Sequence, residues 1–305
     1  MAQPRVSVTV EGRTLSLSNL DKVLFPATGT TKGEVIDYYT RVAPVLLPYL
    51  AGRALTVVRY PNGIDGASFF EKNAPRGTPE WVRRVRLPAP GSTKNRETID
   101  YVVVEELASL IWLANLAALE LHVHQWRVGP RGAVRGADQV VVDLDPGPPA
   151  GLEDCARIAR LLRDRLADDG LSAVVKTSGS KGIQLNAPIH PADPGRTSDY
   201  VRALAQSLER EYPDLVVSSM KRALRPGKVL VDWSQNNPAK TTVAPYSLRA
   251  RPGATVSTPL RWSEVDAGGL TQFDAEAVLR RVAAEGDLYA ASLDDDVRAE
   301  LPAGQ

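Results

Sequence analysis

The chain has little sulfur and little imidazole: one cysteine, Cys155, and three histidines in 305 residues. A single cysteine excludes an intrachain disulfide and, placed in an expected helix, reads as a reducing, intracellular compartment. With so few histidines, a zinc site is not on offer. No run reaches the roughly 18 apolar residues of a membrane span, and the basic-then-apolar pattern of a secretory signal is missing. These absences lead to the expectation of a soluble, cytoplasmic protein. Internal repeats and low-complexity segments are also absent. The net charge is only +1, so overall charge does not announce a nucleic-acid binder. Basic residues do cluster locally, with Arg83, Arg84 and Arg86 after Trp81, and Lys221, Arg222, Arg225 and Lys228 further on. Carboxylates such as Asp294 to Asp296 cancel them in the total. Such clusters are most often solvated faces; they permit phosphate tracking without proving it.

What is present is a set of regular periods. Alternation at Val6, Val8 and Val10 predicts a strand. Thr31 and Glu34 have capping-box spacing, and Val35, Tyr38, Tyr39, Val42 and Leu46 predict a helix that Pro44 kinks or ends. A strand is expected from Leu55 to Arg59, then a turn at Pro61-Asn62-Gly63. Another strand follows from Tyr101 to Val104, then an apolar helix from Leu107 to about Leu119 and a segment, Leu119 to Trp126, in which His122 and His124 alternate with apolar residues. Beyond the Gly/Arg-rich loop Gly129 to Gly136 the pattern is clearer. It predicts strand Gln139 to Asp145, helix Asp154 to Ala167, strands Ala173 to Thr177 and Ile183 to Ala187, helix Ser198 to Glu211, and strand Lys228 to Trp233. This β-α-β-β-α-β order is the split βαβ, or ferredoxin-like, unit, whose first and last strands are sheet neighbours. The expected class is therefore α+β with a mixed sheet. One catalytic domain spans 1–305, with an N-terminal α/β module (1–135), a catalytic core (136–290) and an acidic tail (291–305).

The chemistry concentrates in the core. In Val140 to Gly147, VVVDLDPG, an apolar strand ends in two carboxylates. Residues two apart on a strand share a face, so Asp143 and Asp145 point the same way and repel unless a cation lies between them. Asp145 alone suits an ordinary Asp-Pro-Gly turn. Asp143 lies inside an apolar strand, where an unpaired charge is expensive, and Asp232 repeats that anomaly between Val231 and Trp233. The ferredoxin-like topology would bring Asp232 beside the other two. Oxygen-only ligands suit Mg²⁺ or Mn²⁺, and two such ions about 3.5–4 Å apart would hold the attacking and leaving oxygens of an in-line displacement.

The run Lys176-Thr-Ser-Gly-Ser-Lys-Gly-Ile is on its own a hairpin turn. Yet the hydroxyls of Ser178 and Ser180, the N–H groups opened by Gly179 and Gly182, and the charge of Lys181 suit a polyphosphate. It lacks Walker A spacing. His122, His124 and Arg249 each have a plain structural or surface reading, and Phe69-Phe70 would more often be core.

In correct order along nearly the whole chain, these segments resemble the polymerase domain of bacterial ligase D, a branch of the archaeo-eukaryotic primase superfamily serving non-homologous end joining. The resemblance rests on Ser18-Asn-Leu-Asp-Lys-Val-Leu-Phe-Pro, Thr30-Thr-Lys-Gly-Glu, Ser68-Phe-Phe-Glu-Lys, His122-Val-His-Gln-Trp, Asp143-Leu-Asp-Pro-Gly, Thr177-Ser-Gly-Ser-Lys-Gly and Asp232-Trp-Ser-Gln-Asn. It implies metal-binding roles for Asp143, Asp145 and Asp232, commonly with Mn²⁺. It also implies nucleotide contacts for His122, Ser178, Lys181, Gln235 and Arg249. Asn19, Lys22 and Lys32 match a pocket for the 5′-phosphate of a downstream strand. Phe69 and Phe70 match a template-stacking segment with Arg59 near the same groove, and Arg225 falls in a loop that arranges a primer end. The implied activity is template-dependent addition of NTPs or dNTPs, with a taste for ribonucleotides, at short 5′-phosphorylated gaps in DNA. Ku and a separate DNA ligase are implied as partners, and the setting as cytoplasmic and nucleoid-associated. Rival readings are a de novo primase, a non-catalytic DNA-end bridging module and a metal-dependent phosphohydrolase. Two departures stand out: Gln184 where many relatives have histidine, and Val58 where many have a basic residue. The ligase signature Lys-x-Asp-Gly is absent, which gives the expectation of a stand-alone polymerase or an excised domain.

Overall fold

A computed structural model describes residues 5–89 and 97–302, so the last three residues of the expected acidic tail lie outside it. Helix α1 (Lys32–Leu50) begins as its sequence requires. The Thr31 side chain caps the Glu34 N–H, and the Glu34 carboxylate returns to the Thr31 N–H at 2.7 Å. Pro44 does not end it: the helix runs through Pro44 and Pro48. Proline removes a hydrogen bond in the helix interior. Here Val42, Leu46, Tyr49 and Leu50 are all buried, and that packing outweighs the loss.

Six strands form the N-terminal sheet. They include β1 (Leu55–Arg59), β2 (Phe69–Glu71), β3 (Arg84–Pro88) and β4 (Thr98–Val102). Helix α2 (Leu107–Asn115) stops earlier than its apolar run predicts, because Ala117 turns the chain at φ 57° into β5 (Ala118–Val123). The order is β3-β4-β1-β5, with β2 on β1 and a late strand, Thr242–Val243, closing the edge against β5.

The second sheet holds the predicted core: β6 (Val134–Pro146), α3 (Leu152–Asp168), β7 (Val174–Thr177), β8 (Ile183–Ala192), α4 (Pro194–Glu211) and β9 (Val229–Asp232). Its central order is β9-β6-β8-β7, all antiparallel, so the first and last strands of the unit are neighbours as expected. Ile158, Leu162 and Leu166 of α3 and Val201, Ala205 and Leu208 of α4 are buried in one apolar cluster with Val140, Val142 and Leu144 of β6. That layer of helices leaves the opposite sheet face for polar side chains. A separate core cluster joins α1, α2, β5 and residues 244–256.

Candidate active site

The pairing of β6 decides the site. Asp143 lies opposite Asp232 on β9 and opposite Gln184 on β8, and Gln184 in turn lies opposite Lys176 on β7. Directly opposed residues have Cβ atoms about 4.5–5.5 Å apart. One row across the sheet therefore reads Asp232, Asp143, Gln184, Lys176. Asp145, two residues along β6, joins it, and the three carboxylates present oxygen atoms all within 4.8 Å of one another. The convergence expected from topology is present.

Such crowding is electrostatically costly. Burial first, then Asp145 and Asp232, push the pKa of Asp143 up to about 7, against a hydrogen bond from Gln184 Nε2 at 3.0 Å. Asp145 is also raised, by burial and Asp232, while Arg225, Arg249 and Lys181 pull the other way. Asp232 accepts from Ser234 N at 3.0 Å and from Gln235 Nε2 at 2.9 Å. Gln235 thus meets the triad directly. Three hard oxygen donors, two with their ionised forms disfavoured, fit a hard divalent cation, which would relieve the repulsion.

Lys176 is a residue the sequence reading left without a role. Fully buried, it donates to Gln184, to Ser257 Oγ at 2.7 Å and to Val243 O at 3.2 Å, and burial lowers its pKa to about 7. Gln184 is therefore held at both ends, by an ammonium and by a triad carboxylate.

The Ser178–Gly182 turn packs against the same end of the sheet. Ser178 Oγ accepts from Ser180 N at 3.2 Å and Gly182 N at 3.1 Å, which leaves its O–H free to donate. Lys181 is exposed. Gly179 sits at φ +67°, where a Cβ would come within 2.6 Å of Arg249 Cγ and 2.7 Å of Val256 C. Only glycine permits that approach. Arg249 Nη1 donates to Ser178 O at 2.6 Å, so Arg249 is not the surface arginine of its plain reading.

Glu120 was missed altogether. It is buried on β5, with Oε2 2.9 Å from His122 Nε2 and Oε1 3.2 Å from Arg249 Nε. Burial raises its pKa, but His122 and Arg249 outweigh that and bring it down to about 2. A glutamate two residues before a histidine on an apolar strand was the one available signal. His124 is the structural residue expected: buried, bonded to Ala54 O at 3.0 Å and tilted against Trp126.

The remaining predicted residues form two further groups. Lys32 N donates to Lys22 O at 2.8 Å and Lys22 N to Asn19 O at 3.1 Å, which gathers Asn19, Lys22 and Lys32. Lys22 Nζ donates to Asn62 Oδ1 at 2.8 Å. Burial, then the neighbouring Lys22, lowers the pKa of Lys32 to about 8; two such cations suit an anion. Phe69 and Phe70 on β2 are 48% and 56% exposed, which overturns their core reading. Arg59, opposite Phe69, is occupied by Glu71 at 3.0 Å and Leu116 O at 2.9 Å. Arg225 Nη2 donates to Met220 O at 2.8 Å, and its guanidinium acts electrostatically on Asp145.

An acidic triad able to hold a divalent cation, on an antiparallel β-α-β-β-α-β sheet beside a Ser/Gly/Lys turn and two arginines, is the arrangement of a primase-polymerase fold. Residues 31–289 match the LigD primase-polymerase domain, and the chain belongs to that family. It is 44% identical over 280 residues to the multifunctional non-homologous end joining DNA repair protein LigD of Mycobacterium tuberculosis H37Rv, covering 90% of this chain and 36% of that protein. It is 32% identical over 295 residues to the bifunctional non-homologous end joining protein LigD of Bacillus subtilis 168, covering 94% of this chain and 46% of that protein. The chain thus spans under half the length of these relatives. The polymerase domain of Mycobacterium tuberculosis ligase D, solved in complex with DNA, superposes with a TM-score of 0.87 at 43% identity, covering 92% of this chain and 98% of that one.

Proposed function

We propose that this protein is a template-dependent polymerase that fills short gaps at 5′-phosphorylated DNA breaks during non-homologous end joining, favouring ribonucleotides. The observation that carries the reading is the meeting of Asp143, Asp145 and Asp232 beside Lys181, Arg225 and Arg249 in a chain of this family. Asp143, Asp145 and Asp232 would hold two divalent cations, Mn²⁺ or Mg²⁺. Bound there, the cations supply a lowered pKa for a primer 3′-hydroxyl and charge compensation for departing pyrophosphate.

The chain's own residues do the positioning. The free Ser178 hydroxyl, the exposed Lys181 ammonium and the anchored Arg249 guanidinium bind the incoming triphosphate together with His122, and Gln235 steadies Asp232. Lys22 and Lys32, with Asn19, take the 5′-phosphate; lysine suits a terminal phosphate, which carries more charge than a diester. Phe69 and Phe70 stack on template bases, each stack worth about 1–3 kcal/mol. Arg225 arranges the primer end. Ku and a separate ligase would be the partners, in the cytoplasm at the nucleoid.

The test is primer extension on gapped duplex DNA, with and without a 5′-phosphate at the gap, in Mn²⁺ and in Mg²⁺, with rNTPs and dNTPs. Extension should require the cation, increase with the 5′-phosphate, and fall about a thousandfold in Asp143→Ala, the scale of several kcal/mol of lost charge stabilisation. Dinucleotide synthesis without a primer would replace this reading with a primase. Tight binding of the phosphorylated gap without synthesis would replace it with a bridging module.

A further inference from the structure

We propose that Glu120 is the positioning residue that sets His122 and Arg249 for the incoming triphosphate; this rests on the nucleotide-binding reading above. Both oxygens of its carboxylate are engaged. Oε1 accepts from Ala250 N at 3.0 Å and faces Arg249 Nε at 3.2 Å, and Oε2 meets His122 Nε2 at 2.9 Å. A buried carboxylate is costly unless paired, so Glu120 is tolerable only because these donors surround it.

Each partner is oriented by the contact. An ionised carboxylate accepts only, so Nε2 of His122 carries the proton and Nδ1 is the nitrogen left for a ligand. Arg249 is held twice: Nε lies against Glu120 and Nη1 bonds Ser178 O at 2.6 Å. Among the described contacts Nη2 is unengaged, so it is the nitrogen left for a ligand while its two neighbours are held. Ser178 thereby joins the same network. One carboxylate on the N-terminal sheet links a histidine beside it, an arginine from the 244–250 segment and the Ser/Gly/Lys turn of the second sheet.

Apart from the Ala250 N–H, the surrounding backbone is tied by other atoms. Ala244 N donates to Leu121 O at 2.9 Å, Leu121 N to Ser247 Oγ at 2.9 Å, and Leu248 N to Tyr39 OH at 3.2 Å, which itself donates to Leu119 O at 2.6 Å. These bonds hold the 244–250 segment on β5 by other atoms. Loss of the carboxylate should therefore release two side chains and leave the fold standing.

The experiment is direct titration of Mn²⁺-nucleoside triphosphate onto wild type and Glu120→Gln, with thermal melting and gapped-DNA affinity measured alongside. Glutamine keeps the shape but offers one acceptor oxygen in place of two. Nucleotide Kd, and KM in primer extension, should rise about 10- to 100-fold, the scale of a lost hydrogen bond to a charged group. Melting, DNA affinity and kcat at saturating nucleotide should stay near wild type. Glu120→Asp, which keeps the charge, should recover part of the affinity, and it serves as the test should Glu120→Gln fail to fold. Unchanged nucleotide affinity in a folded variant would overturn the proposal and leave the polymerase reading intact. So would parallel loss of melting temperature, DNA binding and nucleotide binding in both variants, which would mark a purely structural residue. A wild type that binds no nucleotide would overturn the polymerase reading and this one with it.

Discussion

At one end of β6, Asp138 is 6% exposed and met by two arginines. Arg53 Nη2 contacts both of its oxygens at 2.8 Å, and Arg127 Nε contacts Oδ2 at 2.9 Å. Further along the same strand Asp143 is 8% exposed and met by Asp145 and Asp232. Burial pushes both carboxyls up. Arg53 and Arg127 more than reverse this at Asp138, while at Asp143 the neighbouring aspartates add to it. Equal burial on one strand thus gives two kinds of site. Asp138 is finished within the protein as a buried ion pair, and the Asp143 group is one that could take a cation from outside. A buried charge marks function when its neighbours carry the same sign.

Substitution at either carboxylate should separate the two sites. The largest effect expected is on catalysis. Asp143→Asn should cost about a thousandfold in primer extension while leaving the metal-free protein as stable as wild type or more so, measured by denaturant unfolding with EDTA. Asp138→Ala should do the reverse. It leaves Arg53 buried beside Arg127 without its carboxylate, so unfolding free energy should drop by about 3–5 kcal/mol, with the activity of the remaining folded protein largely kept. A smaller effect should follow from cation addition: Mn²⁺ at about 100 times its Kd should stabilise wild type by about 2.7 kcal/mol and Asp143→Asn far less.

The remaining effect is in pH dependence without metal. The folded pKa of Asp143, about 7, lies above the roughly 3.9 of an unfolded aspartate. The folded state then holds a proton that the unfolded chain has released. That contribution is complete below pH ~4 and is lost as pH rises through about 7. Asp138 has the opposite sign: its contribution is present above the unfolded value and is lost as pH falls through its lowered folded pKa. Melting followed from pH 4 to 8 in EDTA should therefore show a decline that starts near pH 4, levels off near pH 7 and is removed by Asp143→Asn.

Much of this site was legible in the sequence, for physical reasons that differ by residue. Asp143 and Asp232 stood out because each interrupts an apolar strand, and the β-α-β-β-α-β order was enough to make those strands neighbours. The Thr31 cap was legible because its chemistry is local. Glu120, Lys176 and the Arg53–Asp138–Arg127 group were not, since their partners lie far along the chain: Glu120 reaches Ala250, Lys176 reaches Ser257, and Arg53 reaches Asp138. Nothing near Arg249 in sequence says which carboxylate it meets. The early end of α2 was hidden for another reason. An apolar run fits a buried helix and a buried strand equally well, and Ala117 divides it.

The contrast between the two carboxylates is tested by a calorimetric Mn²⁺ titration at pH 7.5 of wild type, Asp143→Asn and Asp138→Asn. Saturable binding is expected of wild type and Asp138→Asn, and its loss in Asp143→Asn. Equal binding by all three would contradict the claim that the Asp143 end of β6 is the cation site.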